Sequence, residues 1–269
     1  MNKKTISLIF IVLAIGIVFV RLLGQNKEIV YEEQQNYHKL QCEKLEIPLF
    51  TEERTSQVIE HLGFTLSYNV DWRISNWVAY ELTAEECEGE VPRAKHFKPD
   101  PMVRGICPET GDYSNSGYDR GHMAPAADMK WSEQAMRESF YLSNICPQNQ
   151  NLNRGDWNDL EEKVRWWAHK WGKVYVVCGP VVSENCSVIG SCDIAVPDAF
   201  FKVVLAQVKG NWQAIGFYFE NIAGSKPLRT YAKTIDEIEK IVQLDFFSQL
   251  EDEVESKIES QLNLNAWGL

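Results

Sequence analysis

A positive charge excess is absent from this 269-residue chain. Its formal net charge is −11, which excludes a protein that coats nucleic acid through bulk electrostatics. The seven cysteines (Cys42, Cys87, Cys107, Cys146, Cys178, Cys186 and Cys192) contain no C-x-x-C pair. Zinc-ribbon and thioredoxin-type chemistry are therefore set aside. Internal repeats are lacking, so the chain reads as one domain rather than an array. No small-x-small cleavage site follows the apolar N-terminal run, where the sequence reads RLLGQNKE.

What is present describes a folded globular protein: 45% apolar residues and nine tryptophans. The acidity is uneven. Nine acids against Lys240 and Lys257 lie between Asp236 and Glu259, a run read as a solvated helix face. Between Arg93 and Lys130 six bases meet five acids, which leaves room for a locally neutral or basic cleft.

Lys3 and Lys4 precede a 16-residue apolar run, Thr5 to Val20. That is long for a signal-peptide core and short for a spanning helix. Residues 1–25 are expected to form an uncleaved signal anchor in preference to a cleaved signal peptide, with a buried helix as the third reading. Either favoured reading places the rest of the chain outside the cytoplasm, membrane-anchored or secreted, in a periplasm or at a cell surface. Cys186 and Cys192 bracket SVIGS, a loop short enough for a disulfide in an oxidising compartment. Residues 26–60 are expected to be a linker and 61–269 the functional domain.

Alternating β-branched and aromatic residues predict strands at Thr65–Val70 and Asn76–Leu82. Further strands are predicted at 173–182, 200–208 and 212–220, the last two joined by a hairpin at Lys209-Gly210-Asn211. Trp157, Leu160, Val164, Trp167, Ala168 and Trp171 recur at helical spacing over Asp156–Trp171. A short helix is predicted after Ser132, and Thr234 with Glu237 and Ser248 with Glu251 read as capping boxes. The proline- and glycine-rich stretch 97–117 is a long irregular connection of the kind that carries function. Together these elements predict an α+β fold.

Chemistry concentrates around GYDRGHMAP (117–125), where an acid, a guanidinium, a glycine and an imidazole are consecutive. YLSNICPQ (141–148) adds Asn144, and NQNLNRGDWNDLEEKVR (149–165) adds Asn153, with Glu161 and Arg165 one helical turn apart. Asparagine and glutamate oxygens with water are donors that magnesium prefers. A neutral imidazole beside such a cation and several arginines suits phosphodiester hydrolysis. The cysteine at 146, followed by Pro147 and without a partner histidine in its motif, reads as a buried structural or disulfide cysteine rather than a nucleophile.

DRGHMAPAADM, FYLSNICPQNQNLNRGDWNDLE and VYVVCGPVV, in that order, resemble the DNA/RNA non-specific endonucleases of the ββα-metal type, from about Thr65 to Leu262. The resemblance implies a mixed, mainly antiparallel central sheet flanked by helices, placed after the N-terminal hydrophobic helix. It also implies magnesium-dependent, sugar-non-specific hydrolysis of DNA and RNA leaving 5′-phosphate ends, with manganese able to substitute. His122 corresponds to the general base and Asn153 to the direct metal ligand. Glu161 corresponds to the holder of the metal's water shell, Arg165 and Arg93 to phosphate-binding groups. Asp119 and Arg120 brace the site, and Asn144 supports the histidine or the metal waters. A homodimer and an inhibitor protein are partners the resemblance leaves open. The rival reading is a non-catalytic nucleic-acid-binding or uptake module with a dead site. Retention of His122, Asn153 and Glu161 favours the enzyme.

Overall fold

The computed structural model describes residues 35–269. The chain divides into two compact units, the second of them Lys44–Leu269. In the first unit, residues 35–43 are helical; the expected signal anchor lies outside the described residues.

The second unit opens with β1 (Leu49–Phe50), β2 (Gln57–Glu60), β3 (Thr65–Asn69), β4 (Ile74–Thr83) and the short helix α1 (Ala84–Cys87). After the irregular connection come β5 (Asp119–His122), α2 (Glu133–Ser139), β6 (Ile145–Gln148), α3 (Gln150–Arg154) and α4 (Asp156–Trp171). The rest comprises β7 (Lys173–Val181), β8 (Val188–Ile189), β9 (Ile194–Ala195), β10 (Ala199–Val208), β11 (Asn211–Glu220), β12 (Ala232–Lys233), α5 (Ile235–Val242), β13 (Leu244–Asp245), α6 (Asp252–Glu259) and α7 (Leu264–Trp267).

Seven strands form one antiparallel sheet in the order β12-β11-β10-β7-β4-β3-β2. Both of its faces are covered, which is why β10 reads as the near-continuous apolar run AFFKVVLAQV rather than an alternation. Phe200 and Phe219 meet Trp157 of α4 on one face. On the other face Phe201 packs on Phe246. The tryptophans of α4 that recur at helical spacing supply its packing stripe: Trp157 and Trp167 are fully buried, whereas Trp166 is exposed. The β10–β11 hairpin turns through Lys209 and Gly210, both with left-handed φ.

Three expectations need correction. The stretch read as linker contains β1, which pairs with β13, and β2, the edge strand of the main sheet. Its polar residues are compatible with strand because β2 alternates, burying Val58's neighbours Gln57 and Ile59 while Glu60 is exposed. The helix assigned to a Ser248 cap begins instead at Asp252, with Glu251 as its N-cap. Cys186 and Cys192 are both free thiols, as are the other five cysteines; Cys192 Sγ lies 3.5 Å from Asp112 Oδ2.

Candidate active site

The site is built on two small elements laid against the sheet. β5 carries DRGH and pairs antiparallel with β6, placing Asp119 opposite Gln148, Gly121 opposite Cys146 and His122 opposite Ile145. A side chain at 121 is excluded, because a Cβ there would lie 2.7 Å from Gln148 Cβ and 2.2 Å from its Oε1. The glycine between arginine and histidine is therefore a packing requirement.

Alternation along β5 puts Arg120 and His122 on one face, with Phe97 between them. The Arg120 guanidinium lies 5.3 Å from the Phe97 ring centre, and the Phe97 and His122 rings are 5.4 Å apart. Phe140 meets His122 edge-on at 4.9 Å. Only 8% of His122 is exposed, and its Nε2 makes no hydrogen bond within the protein. Burial, aided by the charge of Arg93, pushes His122 down to about 3. The imidazole is thus neutral at ordinary pH, the form a general base requires. Arg93 itself is exposed, with its guanidinium 5.1 Å from the Phe140 ring.

Asp119, on the opposite face, reaches α3. It accepts from Asn153 Nδ2 at 3.1 Å and from Arg154 Nε and Nη2 at 2.8 Å each. With its amide nitrogen held by Asp119, Asn153 has its oxygen left to meet a cation. The local backbone explains the placement. Asn149 caps α3 through Asn151 N–H and Leu152 N–H, and the chain breaks at Gly155, where a Cβ would meet Asn151 O at 2.7 Å. Asn153 thereby sits in the last turn of one helix, immediately before α4 begins.

Glu161 and Arg165 follow on α4 at i and i+4. Arg165 donates to Asp128 Oδ1 at 2.8 Å, and Tyr80 donates to Asp128 Oδ2 at 3.0 Å. Glu161 is pushed up to about 7, chiefly by burial, against the opposing pull of Lys202, Arg165 and Arg93. Arg93 acts on both His122 and Glu161, so β5 and α4 converge on one electrostatic site. Asn144 stands behind it. Its Oδ1 accepts from Ala124 N–H and its Nδ2 donates to Ala124 O and Ser139 O, each at 2.9 Å. The amide clamps the chain just past His122 and supports the histidine through the backbone.

Two buried residues escaped the sequence reading. Asp128, with no exposed surface, links Arg165 to Tyr80. Lys202 is likewise fully buried, its Nζ unpartnered and 4.5 Å from the ring centre of Trp157, one helical turn before Glu161. Its charge draws Glu161 and Asp128 toward their ionised forms. A lysine inside FFKVVLAQV was the available signal, since a charge in a doubly buried strand needs a reason. Cys146 is fully buried with its thiol pushed well up, in keeping with a structural role.

Comparison with known proteins follows the same elements. The sequence model of the DNA/RNA non-specific endonuclease family matches residues 43–253. Mitochondrial nuclease EXOG of Danio rerio is 35% identical over 238 residues, covering 82% of this chain and 69% of that protein. Human mitochondrial endonuclease G is 32% identical over 204 residues, 71% of this chain and 64% of its own length. The chain thus spans about two thirds of the length of these relatives. A chain of the solved EndoG/EndoGI complex superposes with a TM-score of 0.70 at 31% identity, over 76% of this chain and 90% of that one. These relatives overturn the expected extracytoplasmic location, for they are named as mitochondrial nucleases. Among the described residues no helix is long and apolar enough to cross a membrane. With β5, β6 and α4 carrying the motifs in register, and the family match spanning most of the sequence, the chain belongs to the DNA/RNA non-specific endonuclease family, a family of hydrolytic nucleases.

Proposed function

We propose that this chain is a magnesium-dependent endonuclease that hydrolyses phosphodiester bonds in DNA and RNA without selecting the sugar, with His122 as general base. The observation that carries the reading is the state of His122: a neutral imidazole, with Nε2 uncommitted, in the strand whose Asp119 holds Asn153. Such an imidazole takes a proton from water as the water oxygen bonds to phosphorus. The phosphorus–O3′ bond then breaks, O3′ leaves with the electron pair and takes a proton from water to become a 3′-hydroxyl, and the phosphate stays on the 5′ end. Arg93 and Arg165 supply positive charge for the phosphate. Asn153 directly, and Glu161 through water, are the residues that would hold magnesium, with manganese able to substitute. When bound, the ion supplies Lewis-acid stabilisation of the charge growing on the phosphate and leaving oxygen. Asp119, Arg120 and Asn144 act by position: Asp119 aims the Asn153 amide, Arg120 donates to Thr110 O and shares the Phe97 ring with His122, and Asn144 fixes the following chain. In the solved complex, EndoGI inhibits EndoG, which supports an inhibitor protein as a partner for this chain too.

The test is incubation of the protein with supercoiled plasmid and with RNA, in magnesium and then in excess EDTA, beside His122→Ala. Nicking that requires the metal is expected, with a ~10²–10⁴-fold loss in the variant. Binding without cleavage would establish the non-catalytic module, and cleavage that persists in EDTA would sink the metal assignment.

A further inference from the structure

The C-terminal acids, read from sequence as a solvated helix face, turn partly inward. Asp236 and Glu239 are three residues apart on α5, and Glu255 and Glu259 are four apart on α6, so each pair shares one face of its helix. Carboxylate oxygens of Asp236, Glu239 and Glu259 lie within 4.8 Å of one another. Acids at a surface gather this way without consequence, but Glu259 is not at a surface. It is 7% exposed, and its Oε1 is sealed from solvent with no hydrogen-bond partner; the same holds for Oε1 of neighbouring Glu255. Glu239 Oε1 accepts from Phe246 N–H at 2.9 Å, a polar contact offered to the trio from just past β13. Glu239, Glu255, Asp245 and Asp236 all act on Glu259 as like charges. No lysine or arginine forms an ion pair with any of the five among the described residues.

A sealed carboxylate surrounded by like charges must either hold a proton or share a cation that completes the cluster. The spread of the three oxygens fits calcium, whose ligands lie about 2.3–2.6 Å from the ion and hence up to ~5 Å apart across it. Magnesium, at about 2.1 Å and reluctant to shed water, fits a sealed all-carboxylate cradle less well. The geometry points to a calcium-class divalent cation site formed by Asp236, Glu239 and Glu259, with Asp245 and Glu255 at its edge, that ties α6 to α5. It shares no residue with the DRGH site and stands independently of the proposed activity.

Thermal melting and isothermal titration calorimetry of the full chain with calcium chloride, after chelation, test it on wild type, Glu259→Gln and Asp236→Asn. Saturating calcium should raise the wild-type melting temperature by about 5–10 °C, the shift expected of a ligand at a hundred times its Kd. Glu259→Gln should lose that rise and bind one calcium fewer, while its calcium-free melting temperature stays at or above wild type, since a like charge has been removed. The half-exposed Asp236→Asn, which keeps the test valid if Glu259→Gln folds poorly, should weaken the calcium response. Magnesium-supported plasmid nicking should be the same in all three, so failure of the nuclease reading would show separately. Absence of any calcium-dependent rise in wild type, or an equal rise and equal stoichiometry in all three proteins, overturns the site.

Discussion

Replacing His122 by asparagine should change how stability depends on pH, and the change can be worked out in advance. A histidine in the unfolded chain titrates near its ordinary value of about 6.5, whereas burial and Arg93 hold His122 at about 3 in the fold. Its folded value is depressed, so below the unfolded value the unfolded chain binds a proton that the native state refuses. Stability is complete above pH 6.5 and falls as pH drops toward 3. At pH 5 the difference of 1.5 pH units at 1.36 kcal/mol per unit is about 2 kcal/mol. For a domain of this size that corresponds to roughly 4–8 °C in melting temperature. The assay is calorimetric melting of wild type and His122→Asn at pH 8 and pH 5, because other titrating groups cancel in the comparison. Wild type should lose about 4–8 °C more than the variant on acidification. Parallel losses would refute the claim that the fold keeps this imidazole neutral, and with it the ready general base.

The remaining predictions concern groups around that histidine. Lys202→Met removes the ammonium that draws Glu161 toward its ionised form; the magnesium concentration for half-maximal nicking should rise by about tenfold, one pKa unit's worth, and an unchanged magnesium titration would show that Lys202 only fills space. Asp119→Ala loses the acceptor that orients Asn153 and should weaken magnesium affinity about 10–100-fold, read from the same titration. Melting should move little, since the Arg154 partner is exposed. Gly121→Ala should destabilise the protein by roughly 1–3 kcal/mol, the usual penalty of overpacking, because the added methyl meets Gln148 Cβ; a wild-type melting temperature would mean β5 and β6 can separate at no cost.

The motif residues were legible because the chemistry fixes their types and the secondary structure fixes their spacing. Asp156–Trp171 showed its helix through apolar residues at 3.6-residue period, and Glu161 and Arg165 inherit one face from it. Strands β7, β10 and β11 were legible from composition, and the hairpin from Lys209-Gly210. Strand order across the sheet could not be read. That β7 lies between β4 and β10 depends in part on pairings across nearly a hundred residues, which no local pattern records. The fate of single polar groups was equally hidden. Asn144 was expected to support the histidine or the metal's waters; its contacts with the backbone of Ala124 and Ser139 could not be read, because only the fold brings those groups to its amide.

Location of charge, more than its amount, is what the fold decides here. A net charge of −11 would repel a polyanion if it were spread evenly, yet acids concentrate on α5 and α6 while Arg93, Arg165 and Lys202 act on the site. Of these, Arg93 alone is exposed, where it can meet a phosphate arriving from solvent. Arg165 is committed to Asp128, and Lys202 is sealed beside Trp157. These two cations offset the acids Glu161 and Asp128 from within, so that Glu161 stays available near neutral pH although burial alone would hold it protonated. Arg93 thus carries binding charge, Lys202 balancing charge, and Arg165 both. Substituting Arg93 should accordingly weaken substrate binding, whereas substituting Lys202 should alter the metal requirement. A KM effect from Lys202→Met with no change in magnesium dependence would contradict that division.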